Sequence, residues 1–276
     1  GPIVDIANRM DPSIDVVVSG HTHQAYNCEI NGKLVTSASS FGRLVTDIDL
    51  KIDRHSGDVL SASAENVVVT RDVAKDPAQT ALIDRYTTVL GPVADRQVGE
   101  TTEAITRSQE TLFGTTMGES PLGNVIADAQ LAATDDEQNA VAAFMNPGGV
   151  RADLDAGPVT YEEAFTVQPF ANNLVTLDLT GAQLYCVLEQ QFVVNRILYP
   201  SSTVRYVVDP NGATAPAADP CGGTRVVRGS LAIGGTTVDP AATYRVTVNN
   251  FLAGGGDGFS TLTAGTNLVT GQIDLD

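Results

Sequence analysis

With 276 residues, of which 42% are hydrophobic, the chain is long enough to bury a large core and allows one or two domains. No run approaches the roughly 18 apolar residues that a bilayer crossing needs, and no signal segment opens the chain, although Gly1 is no natural start. Lys and Arg number 16 against 33 Asp and Glu, a formal net charge of -17, which argues against nucleic acid as the main partner because phosphate backbones are bound by basic surfaces.

The opening IVDIANRMDPSIDVVVSGHTH predicts a short helix, a turn at Asp11 and Pro12, and a buried strand from Asp15 to Ser19 that delivers Gly20, His21, Thr22 and His23. Two histidines at i and i+2, on a glycine turn at the end of a buried strand, suit metal ligation, whereas His55 in RHSGD reads as a solvated hairpin. Two strands then meet at a turn over Asn31 and Gly32. Alternating Leu44, Thr46, Ile48 and Leu50 continue a sheet that closes by about Thr70. Residues 75–97 set Ala81, Leu82, Ile83, Tyr86, Leu90 and Val93 on a helical repeat interrupted at Gly91 and Pro92. This is a connecting helix, and the break is the expected hinge.

From residue 98 strands and helices alternate. In GESPLGNVIADAQLAAT, Ser120 is placed to cap a helix with Pro121 at its first position. NAVAAFMN is a buried strand ending at Asn146, and the glycine turn after it presents Arg151, either to an anion or planar ring or as a cap of its own turn. Phe170 lies in a loop after Gln168 and Pro169, as a lid over the core or as a stacking platform. A strand follows from about Asn172, then a helix capped by Thr180, then sheet over 203–250 with residues 209–223 as a surface insertion. Cys28, Cys186 and Cys221 have no zinc-like spacing, and Cys186 with Cys221 is the candidate disulfide pair. Last, YRVTVNNF alternates as a half-buried strand and runs into AGGGDGF, where Phe251 offers a flat face and Asp257 an acceptor to a planar polar ligand; the competing reading is a glycine turn with Asp257 bonding its own backbone.

GHTH followed by SSFGRLVTDIDL, ESPLGNVIADA, NPGGVR, TVQPFANNL, LTGAQL and NNFLAGGGDGF, in that order, resembles the 5'-nucleotidase family of exported metallophosphoesterases over nearly the whole chain. The resemblance implies an α/β (α+β) fold. Residues 1–74 would be the last part of a calcineurin-like metallophosphoesterase αββα sandwich, 75–97 a linker helix, and 98–276 the substrate-binding domain, a mixed sheet with flanking helices. It also implies a nucleoside held between Phe170 and Phe251, with Asp257 and Asn146 toward base or ribose, Arg151 toward hydroxyls or phosphate, and Asn172 toward the base. His21 and His23 match the last metal motif, one imidazole for each of two divalent ions such as zinc or manganese.

The family's earlier metal motifs, and the histidine that stabilises the transition state, would lie before Gly1, so the chain is expected to lack its N-terminal catalytic segment, to contain no catalytic residue, and to be inactive alone. Gly118 and Glu119 stand where many relatives carry a substrate-binding arginine. The implied activity of the full-length protein is hydrolysis of nucleoside 5'-monophosphates. UDP-sugar or 2',3'-cyclic nucleotide hydrolysis and a non-catalytic exported ligand-binding module are the alternatives, with a secreted, periplasmic or cell-surface location in each case.

Overall fold

The computed structural model describes residues 2–216 and 218–275. Gly1, Asp276 and, in the surface insertion, Ala217 lie outside them. The described chain divides into two compact units, residues 1–85 and 86–276.

In the first unit, helix α1 (Pro2–Arg9) precedes strands β1 (Val16–Val18), β2 (Ala25–Ile30) and β3 (Lys33–Ala38), which form a sheet in the order β1-β3-β2. β1 runs parallel to β3 and β2 antiparallel to it, the Asn31 and Gly32 turn joining the last two in left-handed backbone as a two-residue hairpin loop requires. Ala7, Val17 and Val35 form its small buried core. A long hairpin follows, β4 (Leu44–Ile52) with β5 (Val59–Val68), paired from Leu44 with Val68 to Ile52 with Val59.

Helix α2 (Pro77–Ala94) contains Pro92 in its last turn and is not broken at Gly91 and Pro92. The helix ladder continues past the proline, Asp95 N donating to Gly91 O at 2.9 Å. A proline this close to the C-terminus removes one bond that the fraying end gives up readily, so the break on which the hinge expectation rested is absent.

The second unit continues with β6 (Gln97–Thr101), the small hairpin β7 (Thr111–Leu112) and β8 (Thr115–Thr116), helix α3 (Pro121–Ala132), the turn α4 (Asp135–Gln138), and β9 (Ala142–Met145). Then come β10 (Gly157–Thr160), α5 (Tyr161–Val167), β11 (Asn173–Thr180) and α6 (Gly181–Val194). Short strands β12 (Tyr199–Pro200), β13 (Val204–Arg205), β14 (Ala232–Ile233) and β15 (Thr236–Thr237) lead to β16 (Thr243–Asn249), helix α7 (Asn250–Ala253) and β17 (Thr266–Ile273). The central sheet has the order β12-β9-β16-β11-β17, with β9 parallel to β16 and the other pairs antiparallel. Inside this mixed sheet β9 and the first half of β11 are buried on both faces, which is why AAFM and LVTL read as continuous rather than alternating apolar runs, whereas the edge strand β17 is largely exposed.

One face carries Ala142, Phe144, Leu177, Val246 and Val248 against Leu184 and Leu188 of α6; the other carries Met145 against Leu122 and Ile126 of α3. The caps follow the sequence reading. Ser120 Oγ accepts from Gly123 N at 3.0 Å with Pro121 first in α3, and Thr180 caps α6 in a reciprocal capping box with Gln183. Cys186 of α6 is disulfide-bonded to Cys221 in the surface insertion. Beside it the buried Glu189 carboxylate accepts from Val226 N at 2.8 Å and Arg225 N at 3.3 Å, so the disulfide holds the insertion to α6 and Glu189 holds the segment just after it. Among the described residues no helix is long and apolar enough to cross a membrane.

Candidate functional site

The sheet register brings distant parts of the second unit to one end. β9 and β16 run parallel, so Asn146 follows β9 at the end where Asn249 closes β16. Leu174 pairs with Asn249 across the antiparallel β11 and β16 pair, which brings the loop before β11, with Phe170 and Asn172, to that same end. Asn173 N donates to Asn250 Oδ1 at 2.9 Å, tying the two segments together. Carboxyl ends of strands in an open sheet are where such folds bind ligands.

A chain of side-chain hydrogen bonds occupies this end. Asn249, fully buried, ends β16 and caps α7, its Oδ1 accepting from Leu252 N at 2.9 Å. Its Nδ2 donates to Asn146 Oδ1 at 2.9 Å, which fixes the Asn146 amide so that its own Nδ2 donates to Asp257 Oδ2 at 3.1 Å. The other Asp257 oxygen, Oδ1, accepts from Arg196 Nε at 3.0 Å. Asp257 therefore does not bond its own backbone. It is held in left-handed conformation (φ 55) between Gly255 and Gly258, both also at positive φ. An aspartate tolerates that region, and both of its oxygens are oriented by long-range partners.

Phe251 lies on α7 rather than on the preceding strand: β16 stops at Asn249 because that side chain is spent on capping a helical turn. Its ring lies on Gly256, where a Cβ would come within 2.5 Å of ring carbons, so glycine there lets the ring lie flat on the backbone. Phe251 is 46% exposed and Phe170 is 54% exposed. That exposure favours the platform reading of Phe170 over the lid-over-core one. Ala171, next to it, adopts φ 48, a conformation that costs a β-carbon residue energy and that gathers at functional loops. The Arg151 guanidinium lies 5.8 Å from the Phe170 ring centroid and donates from Nη1 to Gly148 O at 3.2 Å, so it caps its turn and stacks at once. Asn172 is half-buried, its carbonyl accepting from Asp274 N at 2.7 Å.

The structure thus joins Asn146 to Asp257 and Arg151 to Phe170, at the sheet end from which Asn172 and Phe251 also emerge. Two participants escape a reading of the sequence. Asn249 looks like a strand residue, and only the Asn-x-x-Leu cap ahead of a short helix marks it. Arg196 follows Asn195, which ends α6 in left-handed conformation as a C-terminal cap does, but nothing local aims its side chain at Asp257. At Gly118, where an arginine is absent, a Cβ would sit 2.9 Å from Glu110 O, so the backbone there leaves no room for a side chain.

His21 and His23, in the first unit, are both exposed and both at positive φ (67 and 56), with Ser39 and Phe41 likewise. The His23 ring meets Phe41 edge-on at 5.6 Å. His21, His23, Ser39 and Phe41 thus carry left-handed backbone that costs non-glycine residues energy. Among the described residues no group of three or more His, Cys, Asp or Glu is arranged to hold a metal ion. Catalytic zinc sites use three protein ligands and structural ones four, so these two imidazoles do not fit a metal centre by themselves.

Known proteins agree with this architecture. The chain is 33% identical over 280 residues to the endonuclease YhcR of Bacillus subtilis, covering all of this chain and 21% of that one. It is 29% identical to the cell wall protein Lmo0130 of Listeria monocytogenes, over 98% of this chain and 35% of the relative. The crystal structure of a 5'-nucleotidase precursor from Thermus thermophilus superposes with a TM-score of 0.66 at 28% identity, covering 95% of this chain and 54% of that one. The chain spans about half or less of each. Residues 97–264 match the family described as 5'-nucleotidase, C-terminal domain, and with that match the chain belongs to the 5'-nucleotidase family.

Proposed function

We propose that this chain supplies the nucleoside-binding part of a phosphohydrolase that releases phosphate from nucleoside 5'-monophosphates. The observation that carries the reading is the Asn249, Asn146, Asp257 and Arg196 network, which orients a carboxylate at the sheet end where Phe170 and Phe251 are exposed. In this reading the two rings stack on the base, a contact worth about 1–3 kcal/mol per base and tolerant of base identity. Asp257 accepts from ribose hydroxyls, Asn146 and Asn172 address base or ribose, and Arg151 reaches hydroxyls or phosphate. Residues 1–74 act as part of the metallophosphoesterase domain, 75–97 as linker and 98–276 as substrate domain. His21 and His23 serve as two ligands of a divalent-metal pair whose remaining ligands this chain does not supply.

The Cys186–Cys221 disulfide, a bond that persists in oxidising compartments, supports an exported location, as does a cell wall relative. Phosphate release from AMP tests the proposal: the full-length protein should turn over AMP and lose activity with a chelator, while this chain alone should release nothing. Turnover by the isolated chain with added manganese would contradict it, as would a full-length protein inert toward every nucleoside monophosphate.

A further inference from the structure

A second cavity in the second unit is lined by none of the residues of that reading, although its Asp274 bonds Asn172. It is a cleft of about 330 Å³ between α3, α5 and the end of β17, with Leu122, Ile126, Val167 and Leu174 in its wall. Two acceptors interrupt the apolar lining. Gln130, 2% exposed, gives its Nε2 to Met145 Sδ at 3.5 Å and leaves Oε1 buried without a partner. Asp274 receives Gln168 Nε2 on Oδ2 at 3.5 Å and has the Asn172 side chain and the local backbone N–H groups facing its carboxylate, while Oδ1 is buried without a close hydrogen bond. Native interiors satisfy nearly all such atoms, so two orphaned acceptors in one ligand-sized apolar cleft mark donors that come from outside the chain. Burial also pushes the Asp274 carboxyl above its ordinary 3.8, with the Asn172 side chain pulling the other way, and a cation would offset that penalty.

We propose that this cleft binds a small primary ammonium carrying an apolar tail, its N–H groups given to Asp274 Oδ1 and Gln130 Oε1 and its tail laid against Leu122, Ile126 and Val167. An ammonium offers three donors and no acceptor, which matches this pair; a carboxylate or phosphate would meet like charge and an acceptor. The remaining occupant is ordered water, which also satisfies buried acceptors.

Calorimetric titration of n-hexylammonium chloride into the chain, beside 1-hexanol and sodium hexanoate, decides between them. The expected result is saturable one-to-one binding of the ammonium that is at least tenfold weaker in Asp274→Asn, weakens as pH falls and protonates Asp274, persists in Phe251→Ala, and has no counterpart with hexanoate. Gln130→Leu should weaken it as well. Should that core variant fail to fold, the partly exposed Asp274→Asn still decides. Absence of saturable binding, equal binding of hexanoate, indifference to Asp274→Asn, or an amine-soaked crystal with only water on the two acceptors would overturn the proposal.

Discussion

The two units differ in how much apolar surface each buries within itself. In residues 86–276 the interior strands of the central sheet are covered on both faces, with Leu177, Val246, Val248 and Met145 fully buried, while the edge strand β17 stays largely exposed. In residues 1–85 the buried apolar core consists of Ala7, Val17 and Val35, while Val18, Val45, Ile52, Leu60 and Val68 remain more than half exposed. The difference extends to the chemistry. The sealed unit holds a finished side-chain network around Asp257, whereas the open one presents two histidines on strained backbone without a third ligand among the described residues. Deep burial and an ordered side-chain network go together here, the kind of support that a proposed ligand site needs.

The sharpest way to break that contrast is truncation in each unit. Leu177→Ala should cost about 2–5 kcal/mol, since it empties a site in the middle of the sheet, while Leu60→Ala should stay within about 0.5 kcal/mol in the same denaturation experiment. Comparable losses would mean that the first unit is better packed than its exposure indicates. Reduction of Cys186–Cys221, which closes a loop of sequence separation 35, should lower stability by about 3–4 kcal/mol on a chain-entropy basis, read as a shift in denaturant midpoint with and without reductant. A shift below about 1 kcal/mol would leave Glu189, through the segment just after the insertion, as the main tie to α6.

A smaller effect is expected at Arg196. Its pairing with Asp257 is half-exposed, so Arg196→Ala should change global stability by less than about 1 kcal/mol and yet weaken adenosine binding severalfold by releasing one carboxylate oxygen. Equal loss in both readouts would reduce Arg196 to a structural contact. The mildest prediction concerns acid. Hydrogen bonds from Asn267, then Arg245, hold the Asp178 carboxyl below its ordinary 3.8. Its stabilisation is therefore complete above that value and lost as pH falls through the lowered one, so Asp178→Asn should flatten the acid limb of the stability curve below about pH 4 and leave its slope near neutrality unchanged.

Local chemistry made much of this molecule legible. Ser120 and Pro121 announce α3, Thr180 announces α6, and an uninterrupted apolar run announces the doubly covered β9, because caps and burial are written in neighbouring residues. The family motifs single out Asn146, Arg151, Phe170, Phe251 and Asp257 as substrate contacts, and the sheet register is what gathers them at one end. What local pattern could not supply was competition between neighbouring demands. Asn249 ends a strand and caps a helix with one side chain, which moves Phe251 off the strand. Gly91 and Pro92 look like a break until the proline proves to sit in a final turn. Arg196 requires α6 to return to the sheet end that β11 left, a tertiary fact with no signature in its own neighbourhood.

In the proposed reading the network around Asp257 and the two exposed rings form a working nucleoside site within this chain. Calorimetric titration of adenosine, without metal, into the unmodified chain and Phe251→Ala tests it most directly. The account predicts saturable binding to the first and a loss of about 1–3 kcal/mol in the second, from removal of one stacking face. No binding to the unmodified chain, or equal binding to both, would contradict it.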